Sequence, residues 1–223
     1  MLIEAQQTRR LPVYLLADRS GSMSGDKIVA VNEGMQALKR DLEQEPRAVE
    51  SVWLSVISFG GQPTLDVPLT EIMLFSPPIL TAEGSTPLGG ALTLLGSRLD
   101  QDIVPSGAAH TGDYRPLIFV FTDGDPTDDW RGPARDIRDR MAAKAANIFA
   151  VGCGSDVNVA LLKELTETVL LMEQANAGSF RKLLDWVSQS VKTASKKRPT
   201  GGGSDPSAAI DLPPLPQGLS IVL

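Results

Sequence analysis

The order of short apolar runs and longer amphipathic runs is the feature that most restricts how this 223-residue chain can fold. Residues 11–18, LPVYLLAD, are apolar without alternation, which is typical of a strand buried on both faces. Residues 27–43 then place Ile28, Val31, Met35 and Leu38 at helical spacing. This alternation continues to residue 194 and predicts a mostly parallel sheet with helices on both faces.

The boundaries of the predicted elements follow from periodicity, prolines and glycines. We predict strands at residues 11–18, 51–60, 64–72, 115–123, 148–154 and 169–173, and helices at 27–43, 87–104, 133–147, 159–165 and 180–194. Pro46 is expected to end the first helix, and Pro68 places the third strand at a sheet edge, antiparallel in a hairpin. The expected fold is a Rossmann-like, doubly wound α/β sheet of six strands with one antiparallel edge strand.

The composition changes after the last predicted helix. Residues 1–195 are expected to form one domain, and residues 196–223 a Pro/Gly/Ser-rich tail. The tail ends in GLSIVL, which is apolar and β-prone. We expect it to lie against this domain, a neighbouring chain or a partner, as an added edge strand.

Composition also restricts the class of function. A net charge of −6 argues against a nucleic-acid partner. With one cysteine and one histidine, a disulfide framework is impossible and a zinc site is disfavoured; Cys153 is expected to be a buried strand-end residue and His110 an exposed loop residue. The chain shows neither a signal-peptide pattern nor a membrane-spanning apolar stretch, so we expect a soluble, cytoplasmic protein.

Small polar residues follow two of the buried strands where a core would continue with apolar ones. Asp18, Ser20 and Ser22 follow the first strand, Asp123 ends the strand that we place beside it, and Thr86 begins a helix at the same edge. In such sheets the carboxyl ends of neighbouring strands face one crevice. Oxygen ligands favour Mg²⁺ or Mn²⁺, with Ca²⁺ as a further candidate, over Zn²⁺. The sequence therefore predicts a divalent-cation site.

The proportion of neutral ligands indicates what such a site would do. Three hydroxyls carry no charge, and two carboxylates neutralise a divalent ion at most once over. An ion with an open position would then bind a carboxylate from another molecule, which requires no catalytic base or nucleophile. We therefore expect a binding protein rather than an enzyme.

These residues carry a resemblance to a known family. Asp18-Arg19-Ser20-Gly21-Ser22 resembles the DxSxS signature of the metal-ion-dependent adhesion site (MIDAS) of von Willebrand factor A (VWA) domains, GSTPLGGAL at 84–92 its threonine loop, and FTDGDPTD at 121–128 its aspartate loop. The resemblance implies that Ser20, Ser22 and Thr86 bind the metal directly, and Asp18 and Asp123 directly or through water. The last two loops are most similar to the bacterial tellurite-resistance TerY-like branch. That similarity implies stress signalling with a protein kinase and a PP2C-type phosphatase.

Two other functions stay open from the residues. An aspartate at a strand end would also suit an Mg²⁺-dependent phosphotransfer or phosphatase-like enzyme. However, a haloacid-dehalogenase-type phosphatase would carry an aspartate at the position of Ser20, and a Gly-rich lysine loop is absent. In a scaffold without metal, the serines and the threonine would serve as turn and helix-cap residues.

The surrounding residues have structural interpretations as well. Asp125, Asp128 and Asp129 are expected in turns and at the N-terminus of the helix after Trp130. Trp130 is expected either to anchor an interface or to pack beneath its loop. Arg19 would either influence which acidic partner binds or remain solvated.

Overall fold

The fold is an α/β sheet with helices on both faces, in a computed structural model that describes residues 9–107, 111–142, 146–154, 157–172, 177–196 and 213–222. His110 lies outside the described residues. The strands are β1 (Leu11–Asp18), β2 (Val52–Gly60), β3 (Gln62–Glu71), β4 (Leu117–Thr122), β5 (Asn147–Cys153), β6 (Val169–Met172) and β7 (Leu219–Val222). The helices are α1 (Asp26–Glu43), α2 (Pro46–Ser51), α3 (Leu88–Asp102), α4 (Arg131–Ala142), α5 (Val159–Leu165) and α6 (Ala177–Lys196), with a 3₁₀ turn at Gly21–Met23.

The strand order is β3-β2-β1-β4-β5-β6-β7. Five adjacent strands are mutually parallel, namely β2, β1, β4, β5 and β6. The two edge strands, β3 and β7, pair antiparallel with their neighbours. The chain moves outward from β1 in one direction and from β4 in the other, so the strand order reverses between these two strands. This switch point is where ligands bind in doubly wound sheets.

Two apolar cores lie on opposite faces of the sheet because successive side chains of each strand point to opposite sides. Leu11, Val13 and Leu15 of β1 belong to the core covered by α1, α2 and α6. Tyr14 and Leu16 belong to the core covered by α3, α4 and α5. β1 is buried along its whole length, as its unbroken apolar sequence predicts.

The six predicted strands are present, the placement of β4 beside β1 is confirmed, and β3 is the predicted antiparallel edge strand. A seventh strand comes from the segment after residue 196, where Leu219–Val222 pair with β6. The expectation that GLSIVL adds an edge strand is thus met within this chain. The expectation that Pro46 ends the first helix was wrong: Pro46 begins α2, where proline at the first position is favourable.

None of the helices among the described residues is long and apolar enough to cross a membrane.

Candidate metal centre

The candidate site lies at the carboxyl ends of β1 and β4. These strands are parallel neighbours, with Ala17 opposite Phe121, so that Asp18 and Thr122 follow side by side. The loop after β1 is held to the loop before α3 by backbone hydrogen bonds: Gly21 N–H donates to the Gly84 carbonyl at 3.0 Å and Glu83 N–H to the Arg19 carbonyl at 2.7 Å. Gly84 has a φ of 71°, which favours glycine, and a Cβ there would lie 2.7 Å from the Gly61 backbone.

Asp18 is completely buried and hydrogen-bonded through both carboxylate oxygens. Ser20 N–H donates to Oδ1 at 2.8 Å, and Thr122 Oγ1–H donates to Oδ2 at 2.6 Å. Burial raises the pKa of Asp18, the bonds from Ser20 and Thr122 lower it in part, and the negative charge of Asp123 raises it further. The carboxylate is therefore fixed in direction but is electrostatically unfavourable without a nearby cation.

A row of hydrogen bonds connects the predicted donors across the site. Ser20 Oγ lies 3.0 Å from Ser22 Oγ, and Ser22 Oγ–H donates to Asp123 Oδ1 at 2.7 Å. A hydroxyl that donates its hydrogen to a carboxylate keeps lone pairs with which it can bind a cation. This arrangement therefore leaves the serine oxygens available as ligands.

Lys27 also contacts this row. Its Nζ forms an ion pair with Asp123 Oδ2 and donates to the Ser22 carbonyl at 3.2 Å. The Asp123 side chain is only 2% exposed, whereas the Lys27 side chain is 29% exposed. Both oxygens of Asp123 are thus engaged, one by a hydroxyl and the other by an ammonium group.

Thr86 approaches the same place from the N-terminal side of α3. Thr86 Oγ1 and Ser22 Oγ lie 3.7 and 3.8 Å from the position that a Cβ on Gly124 would occupy. Thr86 N–H donates to Thr127 Oγ1 at 3.1 Å, and Thr127 N–H donates to the Thr86 carbonyl at 3.0 Å. The structure therefore brings the threonine loop and the aspartate loop together, with the five predicted donors around one small region.

Asp128 does not cap the helix after Trp130 as expected; it caps α3. Its Oδ1 accepts from Gly89 N–H at 2.9 Å and its Oδ2 from Gly90 N–H at 2.8 Å. A negative charge is favourable there because the first turn of a helix has free N–H groups and the positive end of the helix dipole. Asp128 thereby fixes the start of α3 beside Thr86, whereas Asp125 and Asp129 are exposed.

The neighbouring residues have structural roles. Trp130 is 5% exposed within the core beneath α3 and α4, so the packing interpretation is the correct one. Arg19 is not solvated: its guanidinium binds Ser58 Oγ at 3.2 Å and Glu83 Oε1 at 2.7 Å. Cys153 is buried as expected, and burial raises the pKa of its thiol well above the usual range, which keeps it protonated and unreactive.

The donor set fits a hard cation and not a soft one. The described residues contain no group of three or more His, Cys, Asp or Glu side chains that could hold a metal. The candidate site instead offers three hydroxyls and two carboxylates, all of them oxygen donors, which suits Mg²⁺, Mn²⁺ or Ca²⁺.

Sequence reasoning missed two residues of this region, Thr122 and Lys27, and assigned Asp128 to the wrong helix. The threonine next to Asp123 and the lysine in the first turn after the serines were visible signals. A lysine in that position opposes the helix dipole, so it indicates a compensating negative group elsewhere.

Comparisons with known proteins agree with this fold. The profile of the von Willebrand factor type A domain matches residues 13–186. Inter alpha-trypsin inhibitor, heavy chain 4 of Mus musculus is 26% identical over 69% of this chain, and inter-alpha-trypsin inhibitor heavy chain H4 of Homo sapiens is 28% identical over 69%. The match spans only 16% and 17% of those relatives' own lengths.

Solved structures share the fold at low sequence identity. The pilus adhesin SpaC of Lactobacillus rhamnosus GG matches with a TM-score of 0.66 and 15% identity, over 85% of this chain and 31% of that one. The ArnB paralog VWA2 of Sulfolobus acidocaldarius matches with a TM-score of 0.59 and 16% identity, over 82% and 45%. Together with a profile match over most of the chain, the doubly wound sheet shows that this chain belongs to the von Willebrand factor type A domain family.

Proposed function

We propose that this chain is a non-enzymatic interaction module that binds a divalent cation, Mg²⁺ or Mn²⁺, and through it an Asp or Glu of a partner protein. The ligands would be Ser20, Ser22 and Thr86, with Asp18 and Asp123 acting directly or through water. The observation that carries the proposal is the hydrogen-bonded row from Ser20 through Ser22 to Asp123, beside the buried Asp18.

The neutral hydroxyls supply the chemical reason for a partner. When bound, the cation would supply a positive centre that is only partly neutralised by Asp18 and Asp123. Thr122 and the Ser20 N–H hold Asp18 in place, so that the site is already arranged before a ligand arrives. A carboxylate of another protein would complete the neutralisation.

The biological setting is proposed from the loops at 84–92 and 121–128, which resemble the tellurite-resistance TerY-like branch. Protein interaction is the role of VWA domains in many homologues of this chain. We propose a cytoplasmic partner in bacterial stress signalling: a protein kinase, a PP2C-type phosphatase, or both. This partner would donate the carboxylate.

The test is affinity capture of partners from native cytoplasm in Mg²⁺ and in EDTA, with wild type and Asp18→Ala. We expect a partner that is retained by wild type in Mg²⁺ and lost in EDTA and in Asp18→Ala. Asp125→Ala is the matched control because it removes an exposed carboxylate from the same edge of the sheet. Circular dichroism checks that each variant is folded.

Two results would contradict the proposal. A partner retained equally with and without metal, and by Asp18→Ala, would exclude a cation bridge. Metal-dependent turnover of a phosphoester such as p-nitrophenyl phosphate that disappears in Asp18→Asn would instead support the enzymatic alternative.

A further inference from the structure

Lys27 occupies an unfavourable place for a lysine. It is the second residue of α1, which runs from Asp26 to Glu43. The N-terminus of a helix carries partial positive charge, so an ammonium group in the first turn is repelled by the helix dipole. A residue that breaks a local preference in this way needs a compensating contact from another part of the chain.

Asp123 provides that contact. Its side chain is 2% exposed and forms an ion pair with Lys27 Nζ. The other nearby carboxylate, Asp18, is fully buried, and the two negative charges repel each other. Two buried carboxylates are costly unless a cation balances them. Among the described residues that contact this pair, Lys27 supplies the positive charge.

We propose that Lys27 is a built-in counter-cation which holds Asp123 when the site is metal-free and competes with the divalent cation for it. This inference rests on the metal site proposed above, and it adds an explanation of what sets the affinity of that site for the cation. A cation that binds at Ser22 and Asp123 meets the Lys27 ammonium at short range, and must either displace it into solvent or be repelled by it. The lysine is 29% exposed, so solvent is accessible to it.

The size of the effect follows from Coulomb's law. Even in the dielectric of water, repulsion between a divalent cation and an ammonium group roughly 5 Å away lowers affinity by a factor of about ten. Lys27 would thus keep the site from retaining metal tightly in the absence of a partner. A partner carboxylate adds the negative charge that offsets the ammonium, so that metal and partner would bind together.

The experiment is isothermal titration calorimetry with MgCl₂ and MnCl₂ on the full chain. Lys27→Met removes the charge and keeps an unbranched side chain that is only one atom shorter. Lys27→Gln removes the charge but keeps a hydrogen-bond donor. Both are expected to bind metal about tenfold more tightly than wild type. Lys39→Met is the matched control, because Lys39 lies on the same helix and pairs with Glu43. It is expected to bind like wild type.

Thermal unfolding in EDTA supplies a second readout. Lys27→Met and Lys27→Gln should unfold at lower temperature than Lys39→Met because they leave Asp18 and Asp123 without a counter-charge. If wild type binds metal and both Lys27 variants bind it equally or more weakly, the proposed role of Lys27 is overturned and the proposed metal site is not. Absence of binding in wild type and in both Lys27 variants would overturn the metal site itself, and this inference with it.

Discussion

Asp18 is the residue at which the proposed binding role conflicts most directly with stability. Its pKa is raised, mainly by burial, so the folded chain holds a proton there more tightly than the unfolded chain does. The metal-free protein therefore loses stability as pH rises from the ordinary aspartate range through the raised pKa of Asp18. Once Asp18 is ionised, its buried charge is a source of instability that a bound cation would relieve.

We predict that Asp18→Asn unfolds at a higher temperature than wild type in EDTA at neutral pH, and that Mg²⁺ no longer stabilises it. The amide oxygen still accepts from Ser20 N–H, and the amide NH₂ can donate to Thr122 Oγ1 after the hydroxyl rotates. Calorimetric melting curves across pH, with and without Mg²⁺, provide the measurement. The difference in unfolding temperature between Asp18→Asn and wild type should diminish as the pH falls, because wild-type Asp18 then takes up a proton.

Asp100→Asn is the contrasting control. The pKa of Asp100 is lowered by its ion pair with Arg140, so the charge of Asp100 favours the folded state. Replacing Asp100 by Asn should therefore not increase stability at any pH. If Asp18→Asn proved less stable than wild type in EDTA, the buried charge would not be the dominant cost at this position.

The meeting of the five proposed donors at one sheet edge could be predicted from sequence because they lie in loops next to strand ends or a helix start, where position along the chain fixes position at the sheet edge. Their supporting contacts could not. Thr122 is 104 positions from Asp18, and Lys27 is 96 positions from Asp123. Which hydroxyl or ammonium group contacts which carboxylate depends on strand register and side-chain direction, and local sequence patterns contain neither.

At the scale of elements, the start of α3 depends on a carboxylate from another loop. Asp128 accepts from Gly89 and Gly90 N–H, and Pro87 at the N-cap offers no side-chain bond of its own. We predict that Asp128→Ala lowers the free energy of unfolding by about 2 kcal/mol, since a charged cap with two hydrogen bonds is lost. Urea denaturation followed by circular dichroism measures this change.

Asp125→Ala is the control for the Asp128 variant, because Asp125 is exposed in the same loop. Its unfolding midpoint should stay close to that of wild type. Equal losses in the two variants would show that loop charge, rather than the cap of α3, is responsible. Since α3 begins next to Thr86, Asp128→Ala should also weaken Mg²⁺ binding, which calorimetry can detect.

The elements with a regular apolar period were predictable from the sequence, and helix α2 was not. Helix α1 was predicted to within one residue and α5 at its observed bounds because their apolar positions follow the helical period. The six residues of α2 are too few to show that period, and Pro46 is compatible with both the end and the start of a helix. The pairing of β7 with β6 is long-range and leaves no local trace beyond β-propensity.

At the scale of the whole molecule, the two edges of the sheet are closed in different ways. β3 carries register shifts opposite Leu54 and Val56, and prolines at 63 and 68, all of which discourage further strand pairing. β6 has no such features, and β7 covers it instead. The segment before β7 is fixed to the core, since Trp186 Nε1–H donates to the Pro213 carbonyl at 3.0 Å.

We predict that truncation after Lys196 destabilises the protein and makes it associate. The truncation removes the β6–β7 hydrogen bonds, leaves the buried Trp186 N–H without its acceptor and exposes the core surface beneath Leu215 and Leu219. The expected loss in the free energy of unfolding is about 2–4 kcal/mol. Urea denaturation measures the loss, and light scattering measures the association that an uncovered, parallel-paired edge promotes.

Point variants in β7 separate strand pairing from side-chain packing. Leu219 packs against the core on the α1–α6 face, whereas Ile221 is 43% exposed. Leu219→Ser should therefore reproduce part of the loss caused by truncation, and Ile221→Ser should have little effect. Mg²⁺ affinity should be unchanged in all three variants because β7 lies four strands from β1, at the far edge from the β1–β4 switch point. If the truncated chain stayed monomeric and as stable as wild type, the edge of β6 would not need to be paired with β7, and β7 would contribute little to stability or solubility.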